Sequence, residues 1–103
     1  MSLDVVILDK SSGTPLKQVN LSLQMHSILC KNLVDRNFKL LSRFSEYYKD
    51  GHFVLNELPS LKNEIQTLLS DSDNKDLKTF LKDLLKLLEF ALISQNELHL
   101  ISD

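Results

Sequence analysis

The chain opens on an apolar run. In LDVVILD, Val5 and Ile7 would face one side of an extended segment and Val6 and Leu8 the other. A strand that is apolar on both faces belongs inside a sheet. SSGTP follows, with Gly13 and Pro15, and reads as a turn. In QVNLSL, Val19, Leu21 and Leu23 alternate with Gln18, Asn20 and Ser22, the period of a strand with one wet face at a sheet edge. The two segments predict a hairpin.

From Met25 the period lengthens. Met25, Ile28, Leu29 and Leu33 recur at helical spacing, with Ser22 as N-cap. After a break at VDRN, Leu41, Phe44 and Tyr48 share one face of a second helix, flanked by Leu40 and Tyr47, and Gly51 takes the C′ position. A third helix carries the stripe Leu58, Leu61, Ile65 and Leu68, with Asn56 as N-cap, Glu57 at the positive end and Pro59 in the first turn. Asp73 caps a fourth, where Leu77, Phe80, Leu81, Leu84, Leu85, Leu88, Ala91 and Leu92 keep the helical period. Leu98 and Leu100 alternate with His99 in a closing strand, placed beside the first. The expected fold is α+β: a small three-stranded mixed sheet in the order 2-1-3, packed against a helical layer, with the element order β-β-α-α-α-α-β. Residues 1–103 form a single domain.

Composition narrows the function classes. Fourteen acidic and 12 basic residues leave a formal net charge of -2, without the basic footprint that nucleic-acid backbones select. The single cysteine, Cys30, excludes an intramolecular disulfide and a multi-cysteine zinc site. The first residues, MSLDVVILDK, lack a basic region ahead of the apolar run, so no signal peptide is expected. Apolar stretches such as LLEFALI fall short of the ~20 residues that span a bilayer. A cytoplasmic protein with no membrane partner is expected.

Candidate chemistry is sparse. His26 and Cys30 stand four apart on one helix face, the spacing of a thiol and its base or of half a metal site. With no further ligand or orienting carboxylate nearby, a structural thiol is expected. His52 and His99 occur in unrelated contexts, and no HxH or HExxH spacing links them to His26 as a zinc site. Glu46, Asp50 and Glu57 surround the two tyrosines, where a hydrolase would need two carboxylates flanking a bond; ordinary helix ends explain the same residues. Gly13 and Gly51 are the only glycines, too few for a phosphate-cradling loop. Lys75, Lys78, Lys82 and Lys86 form a stripe moderated by Asp76, Asp83 and Glu89, and read as a solvated face. No catalytic residue, metal or cofactor is assigned.

Two features point to contacts with other proteins. Leu87, Phe90 and Ile93 extend the apolar surface around the fourth helix, so it is covered on all sides either by its own chain or by a second copy. In RFSEYYKDGHF, Tyr47 lies among Arg43, Glu46, Asp50 and His52; such mixtures occur in binding hot spots and equally at helix ends.

The segment LLSRFSEYYKDGHFVLNELPSLKNEI, followed by a Leu-rich helix and a closing LHLISD, resembles small bacterial immunity proteins of polymorphic-toxin and contact-dependent growth-inhibition systems. The similarity covers roughly residues 38–103, and weakly the opening hairpin. It implies a protein that binds one cognate toxin domain, often a nuclease, and blocks it stoichiometrically without catalysis. It also implies that Glu46, Tyr47 and Asp50 form the contact surface, with Arg43 and His52 at its edge. The acids would meet basic residues of the toxin and Tyr47 would supply buried area. A net charge of -2 is weaker than the acidity of many nuclease inhibitors and leaves the toxin's activity open. The alternative is a regulatory or adaptor module that acts as a homodimer.

Overall fold

The computed structural model describes residues 3–34, 36–45 and 51–102. Its elements run β1 (Leu3–Leu8), β2 (Pro15–Leu21), α1 (Leu23–Leu33), a 3-10 turn (Leu41–Ser45), β3 (Gly51–Phe53), a second 3-10 turn (Leu55–Glu57), α2 (Leu58–Asp71), α3 (Lys75–Ser94) and β4 (Leu98–Ser102). The fold is α+β, and the helices lie against one face of the sheet.

The hairpin and the closing strand stand where their alternation places them. β1 pairs antiparallel with β2 on one side and with β4 on the other. The rest of the sheet differs from expectation. Among the described residues it has four strands rather than three, in the order β2-β1-β4-β3, and every pairing is antiparallel rather than mixed. The added strand is β3, which extends the sheet beyond β4. Gly51 does not take the left-handed conformation of a helix C′ residue; it begins β3, opposite Leu100. A Cβ at Gly51 would come within 3.1 Å of Leu100 Cδ1, so glycine lets the edge strand sit close to β4.

Among the described residues there are three α-helices rather than four. The second predicted helix survives as the 3-10 turn Leu41–Ser45, which buries Leu41 and Phe44 as its stripe requires. Residues 46–50, Tyr47 and Tyr48 among them, lie outside the described residues. The Glu64 carboxylate accepts the Leu40 and Leu41 N–H groups at 3.1 and 2.9 Å, so a side chain of α2 satisfies the start of this turn. Ser22 caps α1 as expected, its Oγ accepting the Met25 N–H at 3.1 Å. Two other caps move. Asn74, not Asp73, caps α3 by accepting the Leu77 N–H at 2.9 Å. Glu57 occupies the N-cap of α2, because Asn56 is taken up by the preceding 3-10 turn.

Alternation along the strands divides the sheet into two unlike faces. Leu3, Val5, Ile7, Leu21, Phe53, Leu98 and Leu100 join the buried residues of the helices in one apolar cluster. Fully burying side chains of this size stabilises the fold by roughly 1.5–3 kcal/mol each. The opposite face carries Asp4, Val6 and Leu8 on β1. One row across it is set by register: Gln18, Val6, His99 and His52, one residue from each strand. Val6 is only 3% exposed yet stands apart from the core cluster, flanked by Gln18 and His99. Among the described residues no helix is long and apolar enough to cross a membrane.

Candidate binding site at the β3 edge

Short strands need anchors beyond their ladder. β3 has Phe53, which is fully buried and stacks on Phe44 with ring centroids 5.7 Å apart. It also has Arg43, projecting from the 3-10 turn. The guanidinium donates from Nη2 to Glu57 Oε2 at 2.6 Å and from Nη1 to Glu57 Oε1 at 3.2 Å. Nη1 also donates to the His52 carbonyl at 3.2 Å, and the guanidinium carbon sits 5.0 Å from the centre of the Phe53 ring. One side chain thus joins the turn, the outer rim of β3 and the start of α2. Glu57 completes the joint by accepting the Val54 N–H at 3.0 Å. The hydrogen bond from Arg43, and then that from Val54, hold the Glu57 carboxyl below the usual carboxylate range. The same contact with Glu57 raises Arg43.

The side chain of His52 lies on the open face. Its Nε2 is 2.7 Å from Glu97 Oε1, and Glu97 Oε2 accepts the Leu55 N–H at 3.3 Å. An ionised carboxylate only accepts, so Nε2 carries the hydrogen. This contact is the first cause of a lowered Glu97 carboxyl. His52 also stacks on His99, with centroids 4.5 Å apart and planes within 10°. Burial, and then the neighbouring His52, push His99 below its ordinary value, while Glu97 pulls the other way. Beside His99 and Glu97 opens a cleft of about 510 Å³, with Asp9, Lys10 and Leu55 also on its walls.

Of the residues singled out in the sequence, Arg43 and His52 are therefore brought together and directly bonded. Glu46, Tyr47 and Asp50 lie outside the described residues. Sequence reading missed Glu57, Glu97 and His99 as members of this patch, and it separated His52 from His99. Only the register of β3 on β4, with His52 opposite His99, pairs them, and no local spacing encodes a contact across that distance in the chain.

The other candidates are dispersed. His26 and Cys30 do share a face, with Nε2 and Sγ 3.5 Å apart. The same Nε2 lies 2.8 Å from the Phe44 carbonyl oxygen, which can only accept. His26 therefore donates there and does not present that nitrogen as a base. Burial pushes the Cys30 thiol up, away from the reactive thiolate. Among the described residues no three His, Cys, Asp or Glu side chains gather in a metal-ligating group. On α3, Leu87 is buried in the core, Phe90 is half-buried beneath Lys17 Nζ at 4.6 Å, and Ile93 is 84% exposed. The lysine stripe stays on the outer side of the helix, with Lys75, Lys82 and Lys86 exposed.

No family model, curated protein or solved structure matches the chain. The patch at β3 has to be read from its own chemistry.

Proposed function

We propose that this chain is an immunity protein that binds and neutralises one cognate bacterial toxin domain in the cytoplasm, by stoichiometric contact through the β3 edge. The observation that carries the reading is the bonding of Arg43 to His52 within one braced surface patch, the two residues standing in sequence on either side of Glu46, Tyr47 and Asp50. A recognition surface gains from side chains held in place before the partner arrives, because less freedom is lost on binding. Here Arg43 is fixed by Glu57 and His52 by Glu97. Arginine and tyrosine are the residue types that dominate binding hot spots. The resemblance of residues 38–103 to immunity proteins supplies the class of partner; a nuclease toxin fits acids that face a basic surface.

The direct test is calorimetric titration of the purified chain with the toxin domain encoded beside its gene, together with an assay of the toxin's activity. A one-to-one complex that silences the toxin is expected, weakened at least about tenfold in a Tyr47→Ala, Asp50→Ala double variant that still folds. Full inhibition by that variant would keep the function and move the surface elsewhere. No complex with the toxin would remove the reading.

A second reading, a homodimeric regulatory or adaptor module, is favoured by Ile93, a large apolar side chain left 84% exposed near the end of α3. It predicts a mass that rises with concentration in sedimentation and returns to that of a single chain in Ile93→Asp.

A further inference from the structure

We infer that the groove between β2 and α3 receives an extended, basic segment of a partner protein, which adds to the sheet beside β2. The strand order makes β2 one end of the sheet. Its outer backbone N–H and C=O groups have no strand partner there, and they form a template for a further strand. Asn20 donates its side-chain amide to Asp4 across the open face at 2.9 Å, so it meets the groove with its backbone. Pro15, which has no N–H to offer, stands at the far end of β2 and does not line the groove.

Beyond this edge the surface is hollow. A cavity of about 450 Å³ lies against Val19, Met25, Ile28 and Phe80, and a second of about 490 Å³ continues it along β2. The two share Val19, Asn20 and Asp83. Val19, Met25 and Ile28 are half-buried and packed on the core, so the floor is apolar and held in place. An added strand would turn alternate side chains down onto this floor and the others to the open face. In strand addition the backbone ladder gives affinity and the alternate side chains give specificity.

Charge selects the occupant. Asp76 and Asp83 both line the first cavity, and no basic residue does. Among the described residues neither carboxylate is held by an ion pair or a side-chain hydrogen bond. Asp76 also suits the positive end of α3. Asp83, about two turns further on, has no such role. Lys17 and Lys86 enter only the second cavity, so the acidic field is confined to the end nearest α1. These acids repel a phosphate backbone, and a second copy of this chain, with its net charge of -2, brings no excess of positive charge. A lysine or arginine set among apolar side chains satisfies both the rim and the floor. The two carboxylates are about 10 Å apart along the helix axis, a distance that about four extended residues span. The groove lies at the opposite end of the sheet from β3 and does not rest on the toxin-binding reading.

The experiment pans a library of random short peptides, displayed on phage, against the full chain. The enriched peptide is then titrated into the chain and followed by nuclear magnetic resonance. Sequences with lysine or arginine among apolar residues are expected, and they should shift the signals of Val19, Met25 and Ile28. Asp76→Asn with Asp83→Asn, both at exposed positions, should keep the fold and weaken the peptide about tenfold, the worth of two surface charge contacts. Methylating alternate backbone nitrogens of the peptide should abolish binding in one phase of the alternation and spare it in the other, because only every second N–H of a strand faces its neighbour. The inference is overturned by a library without basic preference, by shifts that fall elsewhere on the sheet, or by a double variant that binds as tightly as the parent. Tolerance of methylation in both phases would also overturn it. So would the same signals shifting with protein concentration alone, which would seat a second copy in the groove.

Discussion

The sheet ends in two edges that solve the same problem by opposite means. β2 is long, Pro15–Leu21, and mostly exposed. An open edge of that length is a template for unwanted pairing. It is blunted by Pro15 at its start, by a bulge where Ile7 and Leu8 face it, and by Lys17, whose amine covers Phe90. β3 is three residues long and needs no such protection. Its exposed rim is instead occupied by Arg43, which bonds to the His52 carbonyl, and its open face carries the His52, His99 and Glu97 cluster. One edge is guarded by backbone chemistry. The other is held by side chains, Arg43 on Glu57 and His52 on Glu97, and it is the edge through which we propose that the chain binds a toxin.

The contrast can be broken most directly in the core beneath each edge. Phe53→Ala should cost about 3–5 kcal/mol, because β3 has one large anchor. Val19→Ala, half-buried under β2, should cost about 1 kcal/mol. Urea unfolding of both variants checks the pair, and equal losses would mean that β3 is not held by its anchor. Next in size, Arg43→Ala should cost about 1 kcal/mol, since an exposed ion pair and a cation over a ring each contribute at most about that much. It should also weaken the proposed toxin complex, which calorimetry would read alongside the stability loss.

The guarded edge makes its own prediction. Pro15→Val with Lys17→Val should leave the fold intact but give masses that rise with concentration in light scattering more steeply than those of the parent. Smaller still is the dependence of stability on pH. His99 binds its proton less readily in the folded chain than at its ordinary value of 6.5. Below 6.5 the unfolded chain therefore carries more protons, and stability rises with pH through that window. This contribution is complete above 6.5 and is lost as the pH falls toward the folded value. The urea midpoint of wild type should drop on acidification through this window, and that of His99→Gln should drop less. The smallest effect is expected far from both edges: Cys30→Ala should leave the proposed toxin neutralisation unchanged, and its loss in a folded variant would reopen the question of a reactive thiol.

Local period made much of the fold legible. Val5 to Leu8 announced a central strand, Val19 and Leu21 an edge strand, and the stripes of α2 and α3 matched their buried faces. The closing strand was correctly placed beside β1. What failed was β3. Three residues at the end of an aromatic stretch carry no period, and their extended conformation is imposed by β4. The caps missed by one residue for a related reason. Asp73 and Asn74 are equally good caps, and tertiary packing chooses between them; Asn56, the better cap by type, is drawn into a 3-10 turn, and Glu57 takes the position without a side-chain cap bond. Arg43 and His52 could be nominated from residue type and proximity. Glu97 and His99 could not, because they reach the patch only through pairing across the sheet.

The place of β4 has a further consequence for how the molecule comes together. It lies between β1 and β3, yet it follows every other element along the chain. Until it inserts, β1 and β2 form a two-stranded ribbon, which is marginal in water, and β3 has no neighbour with which to form a ladder. Insertion must join segments from opposite ends of the described chain, and such long closures slow folding. Pairing of the last strand is therefore what joins the hairpin and β3 into one sheet, and the β3 edge exists only once that pairing is complete.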